Sequence, residues 1–172
     1  MDYRNWIRDI PDFPREGILF RDITPLLGHG QAYKHAIDQL AEQVQLWAAD
    51  VIIGPEARGY VVGAPLAYTL GLGFVPVRKK GKLPADTTAV TYDLEYGQDV
   101  LEMHTDAIQP GQRVVVADDL LATGGTMAAT VELARKLGGV VVGAAFFIEL
   151  LPLHGREKLS GIPIHTLVQY ED

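Results

Sequence analysis

Residues 114–126 read VVVADDLLATGGT, an apolar β-branched run followed at once by two carboxylates and a loop of small residues. Val114, Val115, Val116 and Ala117 have the character of a parallel strand covered on both faces, where each side of the pleat needs an apolar side chain. Asp118 and Asp119 are expected where that strand leaves the sheet. Thr123, Gly124, Gly125 and Thr126 follow, just before a helical pattern over 126–137. Small residues let backbone N–H groups come close to an anion, and the free N–H groups and positive dipole end of the next helix favour a phosphate.

Each half of this stretch has an ordinary structural use. Paired aspartates at a strand end often serve a solvated turn or a helix cap, and ATGGT alone makes a strand-to-helix turn. Their conjunction is more informative, because ligands of open parallel sheets bind at the carboxyl ends of the strands. Adjacent carboxylates would repel a phosphate, so they are poor ligands for one. They suit the vicinal hydroxyls of a ribose whose 5-phosphate lies on Ala122, Thr123, Gly124, Gly125 and Thr126. A dinucleotide fingerprint would need Gly-x-Gly-x-x-Gly and a P-loop Gly-x-x-x-x-Gly-Lys-Ser/Thr; neither spacing occurs here. The segment resembles the phosphoribosyl-pyrophosphate signature of the type I phosphoribosyltransferases: hydrophobic residues, two acidic residues, then a loop ending TGGT.

The rest of the chain fits an enzyme of that size. Its 172 residues and 48% hydrophobic content suit a single domain, 1–172, with a substantial core. A net charge of −7 argues against a general nucleic-acid surface, so any anion site must be local. The absence of cysteine rules out disulfides, thiolate metal sites and a thiol nucleophile, and suits a reducing cytoplasm. The opening MDYRNWIRDIPDF lacks the apolar core of a signal peptide, and no segment approaches the ~20 apolar residues of a membrane span. A cytoplasmic protein without membrane or nucleic-acid partners is expected.

Apolar spacing predicts a helix over 32–48, a strand at 51–53, a turn at 54–59, a helix over 60–70 closed by Gly71, and a strand at 74–77. The alternation over 89–103 predicts an antiparallel hairpin turning near Tyr96, Gly97 and Gln98. After the helix over 126–137, ended by Gly138 and Gly139, strands are expected at 140–148 and 165–168. Strands alternating with helices imply an α/β fold, a doubly wound, mainly parallel sheet flanked by helices. A small hood from about 8–28, with a loop near 149–156, and a flexible hairpin loop at about 78–98 complete the plan.

Three further segments carry chemistry. RKKGK at 78–82 concentrates basic charge directly after a strand, in a protein that is acidic overall. Such a run is commonly a solvated face; here Gly81 and Pro84 suit a mobile lid over pyrophosphate, and RKKGKLP resembles the flexible catalytic loop of adenine phosphoribosyltransferases. GPEARG at 54–59 is by itself a tight turn, and by resemblance the pyrophosphate loop. Ala57, Arg58, Gly59, Arg78, Lys79 and Lys82 are the implied pyrophosphate contacts, with a cis peptide expected between Ala57 and Arg58. GILFRDITPLL at 17–27 is by itself a short strand and cap. It resembles the base-binding motif of the same adenine-specific family, which implies adenine contacts from Leu19, Phe20 and Arg21, the last through backbone atoms. Leu150, in IELLPLHGREKL, is implied on the other face of the ring.

The resemblance to the adenine phosphoribosyltransferases spans about 8–171, with five motifs in order. It implies transfer of a phosphoribosyl group to adenine, with Glu95 of YDLEYG as acid/base, assisted by Tyr96, and Arg58 as a catalytic cation. It also implies Mg2+ carried mainly on substrate oxygens without direct protein ligands, and a homodimer. A 6-oxopurine or orotate phosphoribosyltransferase, or a ligand-sensing regulator of the same fold, are the alternatives. A regulator would typically need a nucleic-acid-binding module or a broad basic face, for which this chain has neither space nor charge.

Overall fold

The computed structural model describes residues 1–94 and 96–172. In chain order it comprises β1 (Arg8–Ile10), β2 (Phe20–Asp22), α1 (Thr24–Gly28), α2 (Gly30–Leu46), β3 (Val51–Pro55), α3 (Arg58–Leu70), β4 (Gly73–Lys79), β5 (Thr87–Asp93), β6 (Gln98–His104), β7 (Arg113–Leu121), α4 (Gly125–Lys136), β8 (Val140–Leu150) and β9 (Ile164–Tyr170). Short 3-10 turns cover Tyr3–Trp6, Leu151–Leu153 and Gly155–Leu159.

Seven strands form one sheet in the order β5-β6-β4-β3-β7-β8-β9. The five from β4 to β9 along that row are parallel, and β6 and β5 add an antiparallel edge. The expected doubly wound, mainly parallel α/β sheet is therefore present. β3 is buried at all five positions, as its apolar sequence requires of a central strand. Alternate side chains of single strands feed two cores. Ile52, Val115, Ala117 and Phe147 pack with α2 and α3 residues such as Leu40 and Val62. Val51, Ile53, Val114, Val116 and Phe146 pack with α4 residues such as Met127 and Leu133 on the other face.

The order of strands places a reversal between β3 and β7: the chain runs from β3 outward to β4 on one side, then returns to β7 on the other. Helices leaving neighbouring strands there lie on opposite faces, so a crevice opens at the strands' carboxyl ends. β7 departs from expectation in its length. It stays paired with β8 to Leu121, past both aspartates, because β8 itself runs on to Leu150. Its pairing with β3 stops at Val116. The aspartates thus leave one neighbour and keep the other, which opens the crevice without freeing the strand. The remaining elements match in kind with shifted ends: several strands run longer, as with β9, expected at 165–168 and found at Ile164–Tyr170, while α2 and α4 begin one or two residues early.

β1 and β2 form a separate antiparallel ribbon, with Ile10 opposite Phe20. The buried Arg21 fastens this ribbon to the end of β9. Its guanidinium bonds Asp9 at 2.7 Å and Asp172 at 2.8 Å, and stands 3.8 Å from the centre of the Tyr170 ring.

Candidate active site

Two strand-to-helix passages meet in the crevice. β3 ends at Pro55 and α3 starts at Arg58; β7 ends at Leu121 and α4 starts at Gly125. Neither helix has a side-chain cap: Ala57 and Gly124 occupy the capping positions and offer no side-chain acceptor to the first-turn N–H groups. Both helix starts line one cavity of about 440 Å3, together with Glu56, Asp118, Asp119, Leu120, Leu121, Ala122 and Thr123. Two sets of unpaired N–H groups and two positive dipole ends therefore face one polar space.

The passage after β3 contains a cis peptide between Glu56 and Ala57. That is one residue earlier than expected. Arg58 is already the first residue of α3, so the Ala57–Arg58 link belongs to the helix and the change of direction comes before it. Gly59 gives α3 its close approach to β7. A Cβ there would lie 2.8 Å from the Pro55 ring and 3.3 Å from the Asp118 carboxylate.

Asp118 and Asp119 form a crowded pair at the crevice floor. Asp118 accepts the backbone N–H of Asp119 at 2.8 Å, and Asp119, 6% exposed, pairs with the Nε of Arg58 at 2.9 Å. Burial, reinforced by the neighbouring Asp119 carboxylate, pushes Asp118 well above the usual carboxylate range. The floor thus favours a partner that donates hydrogen bonds or brings positive charge.

The basic segment meets the crevice through Glu56, which the sequence reading passed over although it stands in GPEARG. Glu56 accepts the Lys82 ammonium at 2.6 Å and the Lys79 backbone N–H at 2.8 Å, and lies 3.5 Å from the Arg78 guanidinium. Burial alone would raise its carboxyl, but those cations and the N–H outweigh burial and hold it below the usual range. The Lys79 ammonium pairs with Asp99 at 3.2 Å, and the Nε of Arg78 is buried with no hydrogen-bond partner among the described residues. Arg78 and Lys79 lie within β4, opposite Glu102 and Leu101 of β6. The basic run accordingly begins as strand, and the turn follows at Lys80 and Gly81.

On the hood side, Phe20 links the ribbon to the crevice, with the Arg58 guanidinium 5.4 Å from its ring centre. Ile10, Phe13, Phe20 and Asp22 line a smaller, mostly apolar cavity of about 250 Å3, and Phe13 meets Phe20 edge to face at 5.1 Å. Leu19 is 41% exposed, which is costly for an apolar side chain without a partner. Leu150 ends β8, half-buried against the core. Tyr96 is 81% exposed, and Glu95 lies outside the described residues.

Beyond Leu150, the 3-10 turn Gly155–Leu159 packs on the loop 122–126, a contact the sequence reading did not extract from HGREKL. A Cβ on Gly124, whose φ is 85°, would meet the Gly155 carbonyl at 2.6 Å, and one on Gly155 would collide with the Ala122 carbonyl. Buried Glu149 anchors the turn by accepting both Nε and Nη2 of Arg156 at 2.5 and 2.8 Å, and it also accepts Gln169 at 2.9 Å. Burial would raise Glu149, but Arg156 and Gln169 hold it below the usual range.

A sheet reversal that faces two uncapped helix starts across an aspartate pair defines a phosphoribosyl-transferring class of site. The family model described as "Phosphoribosyl transferase domain" matches residues 25–163. An adenine phosphoribosyltransferase of Brevibacillus brevis is 63% identical over 99% of this chain and 100% of its own length. The crystal structure of the adenine phosphoribosyltransferase of Thermoanaerobacter pseudethanolicus superposes with a TM-score of 0.95 at 53% identity, covering 98% of each chain. That of Saccharomyces cerevisiae, complexed with an imino-altritol bisphosphate and adenine, gives 0.90 at 40% identity over 96% of each. The chain belongs to the adenine phosphoribosyltransferase family.

Proposed function

We infer that this chain transfers the 5-phosphoribosyl group of 5-phosphoribosyl 1-pyrophosphate to N9 of adenine, giving AMP and pyrophosphate, a purine-salvage reaction. The observation that carries this reading is the pair of uncapped helix starts facing each other across Asp118 and Asp119. A sugar with a phosphate at each end suits a single cavity that combines two anion-favouring helix starts with hydrogen-bond-accepting carboxylates.

In this reading residues 1–172 act as one domain. The 5-phosphate occupies Ala122, Thr123, Gly124, Gly125 and Thr126, and Asp118 and Asp119 accept the ribose hydroxyls. The pyrophosphate takes the start of α3, with Ala57, Arg58, Gly59, Arg78, Lys79 and Lys82. The Arg78 and Lys82 cations gathered at Glu56 support that assignment. As the C1–O bond breaks, positive charge develops on the sugar and negative charge on the leaving group; Arg58 and the basic segment stabilise the latter and help exclude water. Adenine lies on the hood against Leu19 and Phe20, with the Arg21 backbone at its edge and Leu150 on its other face. The aromatic cavity of the ribbon and the exposed Leu19 support this placement. N9 attacks opposite the departing pyrophosphate and inverts the anomeric centre. Glu95, assisted by Tyr96, takes the proton that the base releases.

The carboxylates at the floor supply hard oxygen donors that fit Mg2+, and among the described residues no group of three or more His, Asp or Glu converges on one point. The ion would then be held on pyrophosphate and ribose oxygens, with Asp118 and Asp119 approaching through water. Bound there, Mg2+ supplies charge neutralisation for the leaving group. No helix among the described residues is long and apolar enough to cross a membrane, and we read the protein as a cytoplasmic homodimer without nucleic-acid partners.

Incubation with labelled adenine, 5-phosphoribosyl 1-pyrophosphate and Mg2+, with and without chelator, tests the reaction. AMP should form and should fail to form under chelation. Product from guanine, hypoxanthine or orotate in place of adenine would overturn the base assignment. Glu95→Gln should lower kcat by about 100-fold or more while substrate binding changes little; an unchanged kcat removes Glu95 from the mechanism.

A further inference from the structure

We propose that Lys158, on the 3-10 turn Gly155–Leu159, is a side-chain cation of the 5-phosphate site. The proposal rests on the reading of residues 122–126 as the 5-phosphate loop and adds to it a charge that the loop lacks. Ala122, Thr123, Gly124, Gly125 and Thr126 are all uncharged, and Asp118 and Asp119, which line the same cavity, are repulsive to an anion. A phosphate monoester carries nearly two negative charges at neutral pH. The cations already described are engaged elsewhere: Arg58 with Asp119, Arg78 and Lys82 with Glu56, and Lys79 with Asp99.

Lys158 differs from them in position and in pairing. Its ammonium lies 3.8 Å from the point where a Cβ on Gly125 would sit, beside the first free N–H groups of α4. Among the described residues no carboxylate forms an ion pair with it. The turn that carries it is fixed against the loop on two sides. Gly155 and Gly124 press backbone to backbone, and Arg156, two residues before Lys158, is clamped by buried Glu149. A flexible four-carbon stem on a fixed turn brings a point charge to the phosphate without requiring a planar fork geometry. Gly125 leaves the space through which the ammonium reaches the loop.

The test compares ligands with and without the 5-phosphate. In Lys158→Met, the KM for 5-phosphoribosyl 1-pyrophosphate should rise about tenfold with little change in kcat or in the KM for adenine, the loss of one charge-assisted contact. Affinity for AMP and for ribose 5-phosphate should fall by a similar factor, whereas affinity for adenosine and for pyrophosphate stays as in the wild type. Lys158→Arg should recover most of the loss. The proposal is overturned by unchanged ribose 5-phosphate affinity in Lys158→Met, or by equal losses for AMP and adenosine. The ribose 5-phosphate titration reads Lys158 independently of turnover, so a wild-type protein that failed to make AMP would refute the reaction and leave this test standing.

Discussion

Asp118 accepts the backbone N–H of Asp119 while its carboxylate is pressed against that of the same neighbour. Its raised pKa means that the folded protein binds a proton there more tightly than the unfolded chain does. The associated stability is complete below the ordinary Asp range of ~4 and is lost as pH rises through the folded value. Ionising this aspartate in the folded chain therefore costs stability. Asp118→Asn keeps an oxygen to accept the Asp119 N–H and removes the charge. We expect this variant, measured without substrates, to melt a few degrees above the wild type at pH 7, with the gain shrinking toward pH 4. In the mechanism we propose, the ribose hydroxyls then lose a carboxylate acceptor, so AMP formation should fall steeply. Thermal melts at the two pH values, paired with initial rates, check both halves; a lower Tm at pH 7 would show that the carboxylate is not held at a cost to stability. The opposite response is expected of Glu149, whose partners depress its pKa, so that its contribution disappears as pH falls.

At the level of elements, the 3-10 turn and the loop 122–126 behave as one unit because two glycines let their backbones touch. Gly124 combines a left-handed φ of 85° with a Cβ position 2.6 Å from the Gly155 carbonyl, whereas Gly17 has the same φ with nothing within 4 Å. Gly17→Ala should therefore cost only the backbone penalty of roughly 1–2 kcal/mol. Gly124→Ala adds displacement of the turn, and we expect a loss roughly 1–3 kcal/mol larger together with a raised KM for 5-phosphoribosyl 1-pyrophosphate. Equal denaturant midpoints for the two variants would show that the turn moves freely away from the loop. This contact also marks where sequence reading stopped. The valine run, the aspartate pair and the glycine loop are local signals, and the strand, crevice and helix they predict are present. Gly155 and Lys158 carry no local signal for their location, since only the length of β8 and the direction of the turn after Leu150 bring them to Gly124. Glu56 was missed for a similar reason: its cations arrive from β4 and the turn after it, and a parallel pairing sets that register. The cis bond falls one residue before its expected place because the resemblance that implies it marks the loop and not the bond within it.

Across the whole molecule, the sheet with a core on each face was legible because alternating Val and Ile positions need cover on both sides, as Ile52 and Ile53 show by joining different cores. The anchoring of the hood was not legible, since it joins Arg21 to Asp9, Asp172 and Tyr170 across the chain. Ionisable groups tied into such long-range contacts give the fold its pH limits. Glu102 is held below the usual range chiefly by the Thr87 hydroxyl and the Gly81 N–H, and Glu56 and Glu149 are depressed by their cations against the opposing effect of burial. His165 is lowered by burial alone. For each of these the folded pKa lies below the unfolded one, so their stabilisation is present above the unfolded value and lost as pH falls through the folded value. On the alkaline side, burial, with the charges of Asp38 and Glu42, pushes the Tyr3 hydroxyl up to about 12 from 10. That group stabilises below pH 10 and its contribution is lost as pH rises toward 12. We therefore expect a broad maximum of Tm and a steep decline below ~4, where the three glutamates each add up to ~1.4 kcal/mol per pH unit; between ~6.5 and ~4 the loss from His165 is opposed by the gain from Asp118. Thermal melts from pH 3 to 11 measure the profile. Glu102→Gln should flatten the acid limb and leave the alkaline limb unchanged, and an acid limb that keeps its slope in that variant would remove Glu102 from the groups that set it.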